Sequence, residues 1–179
     1  MTVIKLSIAQ ISSLAVLQSE LVEQCIYDDG VLNGPPDVIA QLASFVSQSN
    51  WQVAALPHWR SLLKAAVDNS AEAERLKYIT PGHGQAMTYQ QKVTEAQSFK
   101  AATDPQASDY PILSSEVGIT AETLDDVADI VFAAFAQWQQ IGAMIESIRL
   151  GAKRDIDAAE DEAAARAIVD AIEWPQPAL

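Results

Sequence analysis

The sequence predicts an all-α protein, in which a helical N-terminal half is joined by a Pro/Gly turn to a C-terminal helical hairpin built on one long helix. Three observations carry that expectation. Apolar residues recur at spacings of three and four through Leu124, Val127, Val131, Ala134, Trp138, Ile141, Ile145, Ile148 and Ala152, which places them on one side of a helix. Shorter segments of the same period fill the first third of the chain. Alternating strand patterns are nearly absent, Val3 to Ile8 being the one candidate.

The elements follow in order. Ser7 precedes Ile8, Ile11, Leu14, Ala15, Leu21, Val22 and Cys25, so a first helix is expected from Ser7 to Tyr27, ending at the turn signal Asp28-Asp29-Gly30. After Asn33-Gly34-Pro35-Pro36, the spacing of Val38, Ile39, Leu42, Phe45 and Val46 predicts a shorter amphipathic helix. Pro57 suits the first turn of a third helix, with Trp59, Leu62, Leu63, Ala66 and Val67 on its inner side and helix continuing or resuming over Asp68 to Lys77. Thr80-Pro81-Gly82-His83-Gly84 is the strongest punctuation and marks a domain boundary. It separates a helical N-terminal domain and candidate attachment region, 1–78, from a hinge at 79–87 and a C-terminal module at 88–179.

In that module, Thr88 and Gln91 have capping-box spacing, and Tyr89, Val93, Ala96 and Phe99 share a face that ends before Asp104-Pro105. Asp104 to Thr120 reads as a connection anchored by Tyr110-Pro111-Ile112-Leu113, with Gly118 as a helix stop. Thr120 is placed to cap a helix over 120–157, whose first turns hold Glu122, Asp125, Asp126 and Asp129 at the positive end of the dipole. A return helix over 161–174 ends at Pro175 and Pro177.

Ala128, Ile130, Phe135 and Met144 flank the seam and widen the apolar band, which favours packing against two or more helices over a two-stranded coil. Gly142 and Gly151 lie beside the seam at a cost of about 1 kcal/mol each relative to alanine, a cost that close helix approach would offset. Trp138 is bulky for a tight symmetric trimer and points to an intrachain hairpin with the Ile168 to Trp174 helix. Phe132 lies off the stripe, covered by the N-terminal half or turned to a partner. The candidate interface is therefore Leu124, Val127, Val131, Phe132, Phe135, Trp138, Ile141, Ile145 and Ile148.

Composition narrows the partners. Across 179 residues the apolar fraction is 49%, enough to bury a core, and 24 acidic against 11 basic side chains give a formal charge of −13. That charge opposes binding to phosphate backbones or anionic lipid, so neither nucleic acid nor membrane is expected as a partner. The single cysteine, Cys25, excludes an intramolecular disulfide and is expected as a small buried hydrophobe beside Leu14, Leu21 and Val22. No secretory signal pattern opens the chain, and Val3 to Leu21 is too polar to span a bilayer, so synthesis in the cytoplasm is expected.

No constellation points to catalysis. His58 and His83 are the only histidines, and neither has a metal ligand at a suitable spacing. Asp125 and Asp129, four apart, could hold a cation with an outside ligand, but a dipole interaction on a solvated face is the simpler reading. Asp155, Asp157, Glu160, Asp161 and Glu162 read as a cap for the return helix and a solubilising run. Pro81-Gly82-His83-Gly84-Gln85 lacks the Gly-Lys-Ser/Thr ending of a phosphate loop. Trp51, Trp59, Trp138 and Trp174 read as core anchors. No cofactor, metal or enzymatic activity is expected.

Tyr78-Ile79-Thr80-Pro81-Gly82-His83-Gly84-Gln85-Ala86-Met87-Thr88-Tyr89-Gln90-Gln91-Lys92, then Asp109-Tyr110-Pro111-Ile112-Leu113 and Thr123-Leu124-Asp125-Asp126-Val127-Ala128, form a distinctive series. It continues in Trp138, Gly142-Ala143, Ile145-Glu146, Arg149 and Ala152-Lys153. The series resembles a module of small tail-associated and fibre-associated proteins of tailed bacteriophages and prophages, over about Tyr78 to Trp174. The ending Ile172-Glu173-Trp174-Pro175-Gln176-Pro177 is similar to the Trp-Pro endings of phage tail-fibre assembly proteins. The resemblance implies a non-enzymatic structural protein of the virion tail or fibre, made in the host cytoplasm. Its partners would be other tail or fibre proteins and further copies of itself in a homo-oligomer. The alternative is a tail-fibre assembly chaperone that leaves the particle, and a small cell-surface enzyme is the third reading.

Overall fold

The computed structural model describes residues 3–176. Eight α-helices dominate the described residues, joined by one small three-stranded sheet. The protein is therefore mostly helical, and the sheet corrects the all-α expectation. Val3 to Ile8 does contain a strand, β1 (Ile4–Lys5), and two more, β2 (Ile26–Asp28) and β3 (Val31–Asn33), complete an antiparallel sheet in the order β1-β3-β2. The turn signal at Asp29-Gly30 joins two strands where a helix end was expected. Asp29 and Gly30 both have positive φ, 43° and 78°, as a two-residue hairpin turn with right-handed strand twist requires.

The chain divides into two compact units. One holds the residues up to Val67 together with Ala152–Ile172; the other holds Asp68–Gly151 and the described residues from Glu173. The division falls inside two helices, and the Pro/Gly turn lies within one unit, so the turn is a loop between helices where a domain boundary was expected. Gly82, at φ 127°, supplies a backbone conformation that side-chain-bearing residues rarely adopt.

In the first unit, Ser7 caps α1 (Ile8–Leu17) through a reciprocal box with Gln10. The helix expected to run to Tyr27 stops at Gln18, whose backbone leaves the helical region at φ −137° and ψ 45°, and resumes as α2 (Ser19–Val22). Ile4, Leu6, Leu14, Leu32, Val38, Ile39, Leu42 and Trp51 form its core under the sheet, α1 and α3 (Pro36–Val46). Pro57 does lie in the first turn of α4 (Leu56–Arg75). Leu63 and Val67 are buried as expected, whereas Leu62 and Ala66 face solvent. Leu63 and Val67 pack with Ala152, Ile156, Ala159 and Ala165 in a second core.

The second unit is built on α5 (His83–Ala101), the short α6 (Pro111–Ser114) and most of α7 (Leu124–Ala158). α5 starts five residues before Thr88, so Thr88 is interior and its hydroxyl donates to the Gly84 carbonyl instead of capping. Thr120 caps nothing either; it donates to Glu116, and Thr123 accepts the Asp126 N–H at the start of α7. Val93, Ala96, Tyr110, Leu113, Val127, Ala128 and Val131 make the core, with Phe99 edge-on to Tyr110 at 5.4 Å. The final helix α8 (Glu162–Asp170) is shorter than 161–174 and leaves Trp174 outside it. Pro177 lies outside the described residues.

Candidate functional site

α7 is a single helix of 35 residues, about 52 Å long at 1.5 Å per residue. Its two ends are built into cores and its middle is not. Leu124, Val127 and Val131 pack against α5 and α6, with Phe132 and Phe135 half-buried on the same core. Ile145 is fully buried, and Ala152 and Ile156 join α4 and α8. Between Val131 and Ile145 no residue is fully buried: Phe132 and Phe135 lie at the edge of that core, and Trp138, Ile141 and Gly142 continue the half-covered stripe beyond it. Ile148, one turn beyond Ile145, is half-buried too.

Ala134 is exposed and Phe135 takes its place on the inward side, while the seven-residue series Leu124, Val131, Trp138, Ile145 and Ala152 stays inward along the helix. The band is also narrower than expected. Ala128 and Phe135 turn inward, while Ile130 and Met144 are nearly half exposed. A methyl group at Gly151 would meet nothing within 4 Å, and one at Gly142 would meet only the Trp138 ring of the same helix, at 3.7 Å. Close approach of another helix within this chain therefore does not explain either glycine. The hairpin with α8 forms at Ala152 and Ile156, with α4 as a third member, and does not involve Trp138.

Charged side chains bind the second unit together. Arg149 grips both oxygens of Glu146, at 2.6 and 2.9 Å, and reaches Asp68 at 2.6 Å, while Arg75 adds a contact to Glu146 at 2.8 Å. The Arg149 hydrogen bonds outweigh desolvation and hold the Glu146 carboxyl below its ordinary range. Lys100 bridges Asp125 and Asp129 at 2.7 Å each, so that pair faces an ammonium group, and both hydrogen bonds raise the lysine pKa. Burial alone would raise the Glu116 carboxyl, but contacts from Lys92 and Thr120 outweigh it and the pKa falls.

Two carboxylates that the sequence reading did not single out are almost fully buried. Glu95 accepts the backbone N–H groups of Ile112 and Leu113 at 3.0 and 2.9 Å. Pro111, lacking an N–H, opens α6, and the next two donors are the orphans every helix start leaves. Glu74 pairs with Lys77 at 2.6 Å, and its neighbour Tyr78 donates to the Pro175 carbonyl at 2.8 Å. Trp174 donates to Ser70 at 2.8 Å. The Trp-Pro ending and Tyr78, which opens the series of the resemblance, thus meet in one unit. Desolvation and then Glu74 raise the Tyr78 pKa.

The remaining candidates have ordinary surroundings. His58 is exposed beside Trp59, and His83 is the exposed first residue of α5. Asp161 caps α8 by accepting the Ala164 N–H, as the acidic run suggested. Of the tryptophans only Trp51 is buried; Trp59 donates to Ser13 and lies under Arg166. Cys25 is half-buried just beyond α2 against Gly34, and burial pushes its thiol pKa up. Among the described residues no group of three or more His, Cys, Asp or Glu could hold a metal ion, and no helix is long and apolar enough to cross a membrane.

The described fold defines a mostly helical protein whose longest helix carries an incompletely covered apolar stripe. No family model, curated protein or solved structure matches the chain.

Proposed function

We propose that the chain is a non-enzymatic structural protein of a tailed-phage virion, acting in the tail or fibre apparatus through helix-mediated contacts. The observation that carries this reading is the half-covered stripe Phe132, Phe135, Trp138 and Ile141 in the middle of α7. Aromatic and branched side chains left partly in water along several turns gain most when another protein covers them. The C-terminal helical module built on α7 is the part assigned to fibre or tail partners, and its residues are those that carry the phage resemblance. The network around Arg149 is consistent with a stiff carrier, since its members pair with one another and leave no cluster aimed at a substrate.

Mass spectrometry of purified particles tests the reading. The chain is expected in a fixed ratio to a tail or fibre protein. Its absence from particles, combined with loss of fibre yield when the gene is deleted, would replace this role with that of an assembly chaperone.

A further inference from the structure

The segment Glu173–Gln176 lies against α4 as a strap. It belongs to no helix or strand and, among the described residues, makes no backbone–backbone hydrogen bond. Two side-chain hydrogen bonds tie it down: the Trp174 indole N–H donates to Ser70 at 2.8 Å, and the Tyr78 hydroxyl donates to the Pro175 carbonyl at 2.8 Å. Ser70 and Glu74 lie on α4, and Tyr78 lies in the turn that extends it, its N–H bonded to the Arg75 carbonyl. Spaced by four, the three residues line one side of that helix.

Tyr78 has one hydroxyl proton and two acceptors for it. Its oxygen is 2.8 Å from the Pro175 carbonyl and 3.4 Å from Oε1 of Glu74, a carboxylate that is only 2% exposed. While the proton points to Pro175, the phenol turns a lone pair toward that carboxylate. Lys77, at 2.6 Å, is then the remaining partner of Glu74 among the described residues.

We propose that Glu173–Gln176 is a displaceable strap and that Tyr78 is its latch, donating to Pro175 when the strap is closed and to Glu74 when it is open. The exchange makes release inexpensive. Opening gives up two neutral hydrogen bonds and gains one to a charged acceptor, which is about twice as strong as a neutral one. No buried group of α4 is orphaned, because the freed hydroxyl turns to the carboxylate beside it. What the closed strap withholds is Trp174, a large aromatic side chain with a free donor once released, the kind of group that anchors contacts between proteins. The latch does not depend on the particle role proposed above, because it is read on the purified chain.

Hydrogen exchange at the Trp174 indole N–H of the full chain, followed by NMR and assigned with Trp174→Phe, tests it. Tyr78→Phe removes the latch and should lower the protection of that N–H roughly two- to twelvefold, the worth of one neutral hydrogen bond. Glu74→Gln should act in the opposite direction. It weakens the open-state acceptor and offers the phenol oxygen an amide donor, so protection should rise at least roughly twofold. In a Tyr78→Phe background, Glu74→Gln should have no effect on Trp174, since no proton is left to exchange. The indole of Trp51, buried in the other unit, is the internal reference for intact folding and should not respond. Unchanged protection in Tyr78→Phe would overturn the proposal. So would a Glu74→Gln variant that keeps the Trp51 reference but leaves Trp174 unchanged or less protected, or one whose effect persists without the Tyr78 hydroxyl.

Discussion

Single residues decide how the irregular parts of this protein are held. Glu95 is the clearest case, since one buried carboxylate satisfies two buried backbone donors at the start of α6. Glu95→Ala should destabilise the protein by about 2–6 kcal/mol, because each orphaned N–H costs about 1–3. Glu95→Gln, which keeps an acceptor oxygen, should cost less, and urea unfolding measures both. Gly34 makes a second test. A methyl group there would sit 2.6 Å from the Cys25 sulfur, so Gly34→Ala should destabilise by more than about 1 kcal/mol. In a Cys25→Ala background most of that penalty should vanish. The resulting double-mutant cycle should be strongly non-additive, and additivity would contradict the contact.

At the scale of elements, helical period was the legible signal. The long helix, the helix after Pro35, the Pro57 start and the anchors Tyr110 and Leu113 all follow from apolar spacing and punctuation, and each is present. Elements of two or three residues were not legible. Strands as short as Ile26–Asp28 and Val31–Asn33 carry too few residues to show alternation, and only the Asp29-Gly30 pair between them marked a hairpin. The seam was legible as a stripe but not as a surface. Periodicity tells which side of a helix faces inward, and says nothing of where along its length a neighbour is missing. Glu95 and Glu74 were missed because acids at helical positions read as solvent-facing unless the groups they serve, backbone N–H donors for Glu95 and the Lys77 and Tyr78 side chains for Glu74, are already in view. The two seam glycines supply the prediction at this scale. With no neighbouring element near either one, Gly142→Ala and Gly151→Ala should each raise stability by up to about 1 kcal/mol. Loss of stability in the free protein would restore the close-approach reading.

For the molecule as a whole, acid is the informative perturbation. The folded pKa values of Glu116 and Glu146 lie below the ordinary 4.5, so the unfolded chain takes up their protons first. Their contribution is complete above about pH 4.5 and is lost as pH falls through their depressed folded values. The urea midpoint should therefore drop below that pH, and Glu146→Gln should make the drop shallower. Lys100 acts at the other extreme. Its folded pKa is raised above 10.5, so the stability it lends through Asp125 and Asp129 is present below that pH and fades as pH climbs past its folded value. These charges tie helices together within the second unit, and the aromatic stripe of α7 is the feature proposed above to be covered by a partner. Hydroxyl-radical footprinting of Phe135 and Trp138, compared between the purified chain and intact particles, tests that assignment most directly. Strong protection of both rings in the particle is the predicted result, and equal modification in the two states would contradict it.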